Sequence, residues 1–384
     1  MESIKDKVAI VGMGCSKFGD RWDAASESLM VEACYEAFEE AGVESKDIQA
    51  AWLGVQMGGT GQPLAGAIKT EYIPITRVEN ACASGTEAVR NACHDVAAGI
   101  HELVLAVGVD KFSDAGIGRG EWEIMPGVPP PAQFALHANR YFHQYKMSYE
   151  EGRQILAKIS IKNHHNGSMN PKAQVQRELT MDEILNAPMM AYPLGLWDCC
   201  GISDGAAAAI ITTVENAKKL NDAYVLVKGF GLAVSGHHGR VRDYYDFTHF
   251  EETVHAAREA YEAAGLKNPR EELDLAEVHD CMTIAELITY EDLGWCPRGK
   301  AKEDIESGFF ELTGGLPVNP DGGMLSFGHP IGGTGVRQIY EVYKQLQGKA
   351  GARQVKNPRL GLTHVMGGEV GSFTCAISIL GCRD

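Results

Sequence analysis

The chain has 384 residues, 45% of them apolar and 22% charged, with a formal net charge of −16. That length leaves room for two ordinary domains, each with its own core, and the acidity argues against nucleic acid or an anionic membrane as the main partner. No apolar run reaches the ~20 residues that span a bilayer. Met1 to Lys7 lack the apolar core of a secretion signal, and the ten cysteines form no C-x-x-C pair, so a cytoplasmic chain with free thiols is expected.

In chain order, Lys7 to Val11 reads as a buried strand that turns at Gly12-Met13-Gly14. Residues 26 to 41 carry a helical period (Leu29, Val31, Ala33, Cys34, Ala37, Phe38), closed by Gly42. Ala50 to Val55 is a second strand, and Gly58 to Gly66 a glycine-rich loop. An extended stretch, Tyr72 to Val78, leads into Asn80-Ala81-Cys82-Ala83-Ser84-Gly85, and a helical run to near Gly99 follows. Glu102 to Val109 is a further strand. Strands alternating with helices predict a mostly parallel sheet covered on both faces. From Ser113 to Ala191 the alternation breaks. Pro126, Pro129 to Pro131, polar helical runs and His164-His165 mark an inserted, partly helical subdomain. The sheet resumes at Gly205 to Thr213.

A second series starts at Tyr224. It has a strand to Phe230, a helix from Thr253 to Ala264 ending at Gly265, a strand from Leu273 to His279 and a helix from Thr283 to Tyr290. A glycine-rich turn, Gly328 to Gly335, precedes a helix from Val336 to Leu346, and Leu360 to Val365 and Phe373 to Leu380 are the closing strands. The two series repeat one order of elements, with Gly85-Thr86 falling where Gly333-Thr334 falls. This is an internal duplication, which sets both small-residue turns at strand ends facing a shared crevice.

Four motifs end strands in this scheme: the Cys82 turn, Glu277-Val278-His279-Asp280-Cys281-Met282, Gly328-His329-Pro330-Ile331-Gly332-Gly333-Thr334-Gly335 and Gly367-Gly368-Glu369-Val370-Gly371-Ser372. Cys82 at the amino end of a helix meets unpaired N–H groups and the positive end of the helix dipole, which favour a thiolate. A cysteine nucleophile needs a base, and His329, held between glycines and Pro330, suits that task. His279 beside Asp280 and Cys281 offers a donor and a second thiol, and backbone N–H groups at Gly367 and Gly368 suit an oxyanion.

On these motifs, together with Asp198-Cys199-Cys200-Gly201-Ile202-Ser203-Asp204-Gly205-Ala206, the chain resembles the thiolase superfamily along its whole length. It is most similar to the archaeal and sterol-carrier-protein-type thiolases. The resemblance implies an α/β fold of duplicated βαβαβαββ halves in a five-layered α-β-α-β-α core with an inserted loop subdomain. The halves would be residues 1–115 plus 198–220 and residues 221–384, with the insertion at 116–197. It implies a coenzyme A-dependent thiolase that cleaves or forms a 3-oxoacyl-CoA through an acyl group on Cys82. His329 would activate Cys82 and help hold the thioester oxygen, and the backbone N–H groups of Cys82 and Gly367 would form the oxyanion hole. The best-known thiolases carry a second cysteine two residues before the first glycine of the last motif, here Val365, and an Asn-Glu pair where this chain has His279-Asp280. In the His-Asp-Cys subgroup, Cys281 becomes the acid/base thiol and His279 a ligand of the enolate oxygen.

The resemblance further implies a homodimer or tetramer, CoA contacts from the insertion (candidates Arg140, His164 and His165, with Lys158, Lys162, Lys172 and Arg177 nearby) and a small zinc-ribbon/OB-fold partner protein. The acyl substrate is acetoacetyl-CoA or a larger branched or aryl 3-oxoacyl-CoA such as benzoylsuccinyl-CoA. The aromatic and methionine content of the insertion (Trp122, Met125, Phe134, Tyr141, Phe142, Met189, Met190, Tyr192, Trp197) suits either a roomy apolar pocket or ordinary subdomain core. No metal is expected, since the 13 histidines show no ligand spacing and Cys199-Cys200 are adjacent. A nicotinamide site at Gly12-Met13-Gly14 fails because Lys17 stands at the third glycine position. A decarboxylating condensing enzyme shares the duplicated fold but not the Gly-His-Pro-Ile-Gly turn. The competing reading is a non-catalytic, thiolase-like scaffold or lipid-binding subunit.

Overall fold

Eight successive buried residues, Val8–Cys15, form β1, the strand on which the two halves of the molecule meet. The computed structural model describes residues 3–58, 60–113, 129–236 and 245–383. After β1 come α1 (Ser26–Ala41), β2 (Ala50–Gly54), α2 (Gln62–Ile68), β3 (Ile75–Val78), α3 (Ser84–Ala97) and β4 (Leu103–Asp110). The insertion supplies α4 (Pro130–Gln144), α5 (Tyr149–Ser168), α6 (Met181–Leu185) and a small hairpin, β5 (Met189–Ala191) and β6 (Leu194–Gly195). Next are β7 (Gly205–Thr213), α7 (Val214–Leu220), β8 (Val225–Val234), α8 (Glu251–Ala264), α9 (Pro269–Glu272) and β9 (Leu275–Glu277). The chain closes with α10 (Thr283–Asp292), α11 (Ala301–Ser307), α12 (Gly323–Ser326), α13 (Ile331–Leu346), β10 (Leu360–Glu369) and β11 (Ser372–Gly381).

The main sheet runs β3-β2-β4-β7-β1-β8-β11-β10-β9, joined at its centre where Ala9 and Ile10 of β1 pair with Leu226 and Val225 of β8. Read outward from that joint, the two sides have one topology. β1-β7-β4-β2-β3 is matched by β8-β11-β10-β9, and Val318 bridges parallel to Ala276 where the fifth strand would stand. The duplication expected from the sequence is therefore present strand by strand. The sheet is mixed, however, and not mostly parallel: β2 pairs in parallel with β3 and β4, and β9 with β10, while β7 and β11 return antiparallel beside β4 and β10. The last strand of each half re-enters after an insertion or a tight hairpin, with no crossover helix to enforce parallel pairing.

Helices fill the layers on either side. α1 packs on the outer face of β1 and β7, and α8 on the outer face of β8 and β11. Between the two sheet halves lie α3 and α13, which touch each other; both pack on β4, and α13 also reaches β10. The result is the α-β-α-β-α order. Glycines let these layers approach. A Cβ at Gly85 would stand 2.4 Å from the Gly332 carbonyl oxygen, and one at Gly335 would stand 2.5 Å from Thr86 N. For the same reason Gly12 and Gly14 do not turn the chain. β1 runs through them, because a Cβ at either would strike the backbone of α1, 2.3 Å from Ala37 O or 2.0 Å from Ala33 O. The Gly58–Gly66 loop likewise gives way to α2, and Gly332, Gly333 and Gly335 lie inside α13. Gly42 and Gly265 do close their helices, at φ +69° and +80°. Among the described residues no helix is long and apolar enough to cross a membrane.

Candidate active site

Cys82 is presented on an elbow. β3 ends at Val78, Ala81 takes φ +48°, and Ala83 caps α3. A left-handed alanine is strained, and three hydrogen bonds hold it. Ala81 N–H donates to Glu79 Oε1 (2.7 Å), Asn80 N–H to Ser84 Oγ (2.9 Å), and Ser84 Oγ–H to the Ala81 carbonyl (2.5 Å). The strand end of β10 closes over this elbow. A Cβ at Gly367 would lie 2.2 Å from Cys82 N, so only glycine allows the two backbones to meet.

His329 reaches the elbow from the other half. Gly328 before it has φ +114°, and a Cβ there would stand 2.5 Å from Ser203 Oγ. His329 N–H donates to that same hydroxyl at 2.9 Å. Its Nε2 lies 3.2 Å from Cys82 Sγ, and its Nδ1 lies 2.7 Å from Thr334 Oγ1. At the amino ends of α3 and α13, a thiol and an imidazole thus share a hydrogen bond.

The surroundings of the half-buried pair favour its neutral form. Burial, reinforced by the carboxyl of Asp110, pushes the Cys82 thiol up to about 12. Burial and then the Arg337 guanidinium hold His329 down to about 3. These shifts oppose the thiolate expected at the helix terminus. A helix end stabilises an anion by roughly 0.3–1 kcal/mol, less than removing a charge from water costs. His329 Nε2 is placed to receive the thiol proton.

His279 and Cys281 lie beside this pair, at the end of β9. The His279 and His329 rings stand edge to face with centroids 5.6 Å apart. His279 N–H is held by His364 Nδ1 at 3.3 Å, while its own Nδ1 is buried without a partner. Burial first, then the neighbouring His329, hold its ring neutral. Cys281 is buried, and burial followed by the charges of Cys200 and Cys82 pushes its thiol well above the ordinary range. It is a protonated donor. Asp280 between them accepts from Met324 N (2.6 Å), Leu325 N (3.2 Å) and Asn163 Nδ2 (2.8 Å). Val365 is wholly buried in β10 and brings no thiol.

Arg337 and Asp110, which carried no role in the sequence reading, and the Cys199-Cys200 pair belong to this neighbourhood. Arg337, fully buried, reaches Glu277 at 2.8 Å and Asp321 at 2.5 Å, and its charge helps keep both histidines unprotonated. Asp110 accepts from Met57 N (2.8 Å) and Gly332 N (2.5 Å), tying the end of β4 to the start of α13. Cys200 N–H donates to the Cys281 carbonyl at 2.9 Å, and Cys199 bridges to Met282, so the Asp198–Gly201 segment straps the His279–Met282 turn. The adjacent-cysteine signal at Cys199-Cys200 was visible in the sequence, but only the fold sets it there.

The insertion's cations sit elsewhere. His164 is a core residue: its Nδ1 donates to the Ser160 carbonyl (2.9 Å), its ring meets Trp197 edge-on, and burial holds it down to about 4. Among the candidates for CoA contacts it is thus enclosed by the insertion's own core. Lys162, Lys172 and Arg177 are engaged by Glu286, Glu36 and Glu183. His165 is exposed and pairs with Glu178, and Arg140 is exposed with its Nε on the Asp246 carbonyl. Phe134, Tyr141 and Phe142 are buried core, whereas Met189, Met190 and Tyr192 are exposed. Trp122, Met125 and Pro126 lie outside the described residues. Among the described residues no group of three or more His, Cys, Asp or Glu is arranged to hold a metal.

Two family models match the chain: "Thiolase, N-terminal domain" over residues 8–215 and "Thiolase C-terminal domain-like" over residues 233–381. The chain belongs to the thiolase family. It is 39% identical to an acetyl-CoA acetyltransferase of Methanothermobacter thermautotrophicus, over 97% of this chain and 98% of that protein. It is 33% identical to the benzoylsuccinyl-CoA thiolase subunit BbsB of Thauera aromatica, over 95% and 96% of the two chains. A solved structure described as the Ltp2-ChsH2(DUF35) aldolase superposes with a TM-score of 0.84 at 26% identity, over 99% of both chains.

Proposed function

We propose that this chain is a CoA-dependent acyltransferase of the thiolase type, with Cys82 as nucleophile and His329 as its base. The observation that carries the reading is the 3.2 Å contact between His329 Nε2 and Cys82 Sγ. In cleavage, Cys82 attacks the 3-oxo carbon of a 3-oxoacyl-CoA while its proton passes to Nε2. The carbonyl oxygen takes up negative charge facing the backbone N–H groups of Cys82 and Gly367. The carbon–carbon bond then breaks, leaving the acyl group on Cys82 and a thioester enolate. His279 holds the enolate oxygen, and Cys281, kept protonated by burial, supplies the proton to its carbon. Free CoA finally takes the acyl group from Cys82, and condensation is the same path reversed.

The acyl substrate is acetoacetyl-CoA or a larger branched or aryl 3-oxoacyl-CoA, in line with relatives named for acetyl-CoA and benzoylsuccinyl-CoA chemistry. The polyanionic CoA needs cations. Arg140 and His165 are the surface candidates in the insertion, and a small zinc-ribbon/OB-fold partner would add others. A neighbour described as an assembly with a DUF35 protein supports such a partner. We assign residues 1–115 plus 198–220 and 221–384 to the two halves, 116–197 to the insertion, a homodimer or tetramer as the assembly, and the cytoplasm as the location.

The second reading, a scaffold or lipid-binding subunit, is favoured by one observation: the position of the usual second cysteine is Val365, wholly buried. Turnover of acetoacetyl-CoA and CoA by the purified chain, with and without the co-expressed partner, separates the two. Turnover abolished in Cys82→Ala supports the thiolase reading. Turnover retained in that variant, or absent under every condition, overturns it.

A further inference from the structure

We propose that Thr334 is a positioning residue of the site: its hydroxyl holds His329 as the Nδ1–H tautomer, so that the bare Nε2 faces Cys82. This rests on the pairing of Cys82 with His329 argued above.

The argument is a count of protons. Thr334 Oγ1 lies 2.8 Å from the Pro330 carbonyl, to which it donates, and 2.7 Å from His329 Nδ1. A hydroxyl has one proton. With that proton on Pro330 O, the hydroxyl offers Nδ1 only a lone pair, so Nδ1 must carry the ring hydrogen. A neutral imidazole then has an unprotonated Nε2, and that atom is the one 3.2 Å from Cys82 Sγ. The reverse arrangement would aim Nε2–H at a thiol sulfur, a weak acceptor, and leave no base on the thiol proton. The bond from Thr334 to Pro330 is the backward i to i−4 contact that helical threonines make. Thr334 is fully buried in the first turn of α13, so water does not compete for it. When the sulfur–carbon bond forms, the carbonyl π pair moves to oxygen and the thiol proton to Nε2. The resulting imidazolium still donates Nδ1–H to Thr334 Oγ1, and its charge is shared with that hydroxyl oxygen.

The duplication supplies an internal control. Thr86 occupies the equivalent position on α3, equally buried, yet its Oγ1 has no hydrogen-bond partner. A buried threonine at this point of the repeat therefore does not by itself require a bonded hydroxyl. The copy beside His329 is bonded on both sides.

The test is the rate at which iodoacetamide alkylates Cys82, followed by peptide mass, in the wild-type chain and in Thr334→Val and Thr334→Ser. This needs no acyl substrate, so it reads the pair even if turnover fails and the functional reading falls. Removing an orienting hydrogen bond of this kind costs roughly 10- to 100-fold. Thr334→Val is expected to alkylate that much more slowly, and Thr334→Ser close to the wild-type rate, since the hydroxyl is restored. The 15N shifts of His329 in the wild-type chain provide a readout that no packing role would move, and are expected to report a protonated Nδ1 and an unprotonated Nε2. Alkylation of Thr334→Val at the wild-type rate, a serine variant as slow as the valine variant, or a protonated Nε2 in the wild-type ring would each overturn the proposal. The wild-type spectrum decides the matter even if the valine variant does not fold.

Discussion

The two helices at the centre of the molecule, α3 and α13, are topological copies whose starts carry different side chains. Each follows the fifth-strand position of its half, each begins with small residues, and each packs on the other through glycine. Aligned on Gly85-Thr86 and Gly333-Thr334, Cys82 matches Pro330 and His329 falls one residue earlier. The duplicated fold thus brings two helix starts face to face, and divergence at those starts sets a thiol on one and an imidazole on the other. What differs next is the support. Thr334 is bonded to His329 and to Pro330, whereas Thr86 is bonded to nothing. One copy of the structural position carries a hydroxyl bonded on both sides, and the other a hydroxyl without a partner.

That comparison can be broken in order of expected effect. His329→Ala removes the base from the second copy and should slow acylation of Cys82 roughly 10²- to 10⁴-fold, measured in a single turnover; a loss under tenfold would separate the two helix starts functionally. Gly85→Ala tests the contact between the copies. Its methyl would stand 2.4 Å from the Gly332 carbonyl oxygen, and overpacking of this kind should cost about 2–3 kcal/mol in denaturant unfolding, whereas alanine's ordinary advantage in a helix would raise stability by up to about 1 kcal/mol. Thr86→Val deletes a buried, unpartnered hydroxyl, so it should leave acylation unchanged and stability unchanged or raised by about 1 kcal/mol or less. A clear loss of stability would show that Thr86 is bonded after all.

The smallest expected effect is of pH. His329 is held down to about 3 and Cys82 pushed up to about 12. The histidine stays unprotonated on acidification until pH falls towards 3, and the thiol stays protonated on basification until pH rises towards 12. Neither titrates between pH 5 and 9, and the acylation rate at saturating substrate should be level across that window. A fall in rate below about pH 6.5, the ordinary histidine value, would mean that the site is more hydrated than its packing indicates.

Much of this was legible from residue patterns. Helical periods closed by Gly42 and Gly265 marked α1 and α8, and the glycines around His329 and the small residues around Cys82 marked the two helix starts. The turns that failed did so for one reason: glycine was read as a local turn signal. Gly12, Gly14, Gly332 and Gly335 are instead places where a distant backbone comes within reach of a Cβ, and no local pattern reports the distant partner. At Cys82 the helix end that favours a thiolate is visible in sequence, whereas the surroundings that push the thiol up are not. His164 and His165 were equal candidates for CoA contacts, yet the helical turn between neighbours leaves one buried against Trp197 and the other in solvent. Arg337 reads as an ordinary helix cation until the fold buries it against Glu277 and Asp321.

The most direct measurement of the central claim is intact mass, with peptide mapping, after the chain is mixed with acetoacetyl-CoA and with longer, branched and aryl 3-oxoacyl-CoA esters in the absence of free CoA. The account predicts one acyl adduct, on Cys82, that disappears when CoA is added and never forms in Cys82→Ala. An adduct on any other cysteine, or turnover of an ester with Cys82 unmodified and replaceable, would contradict it.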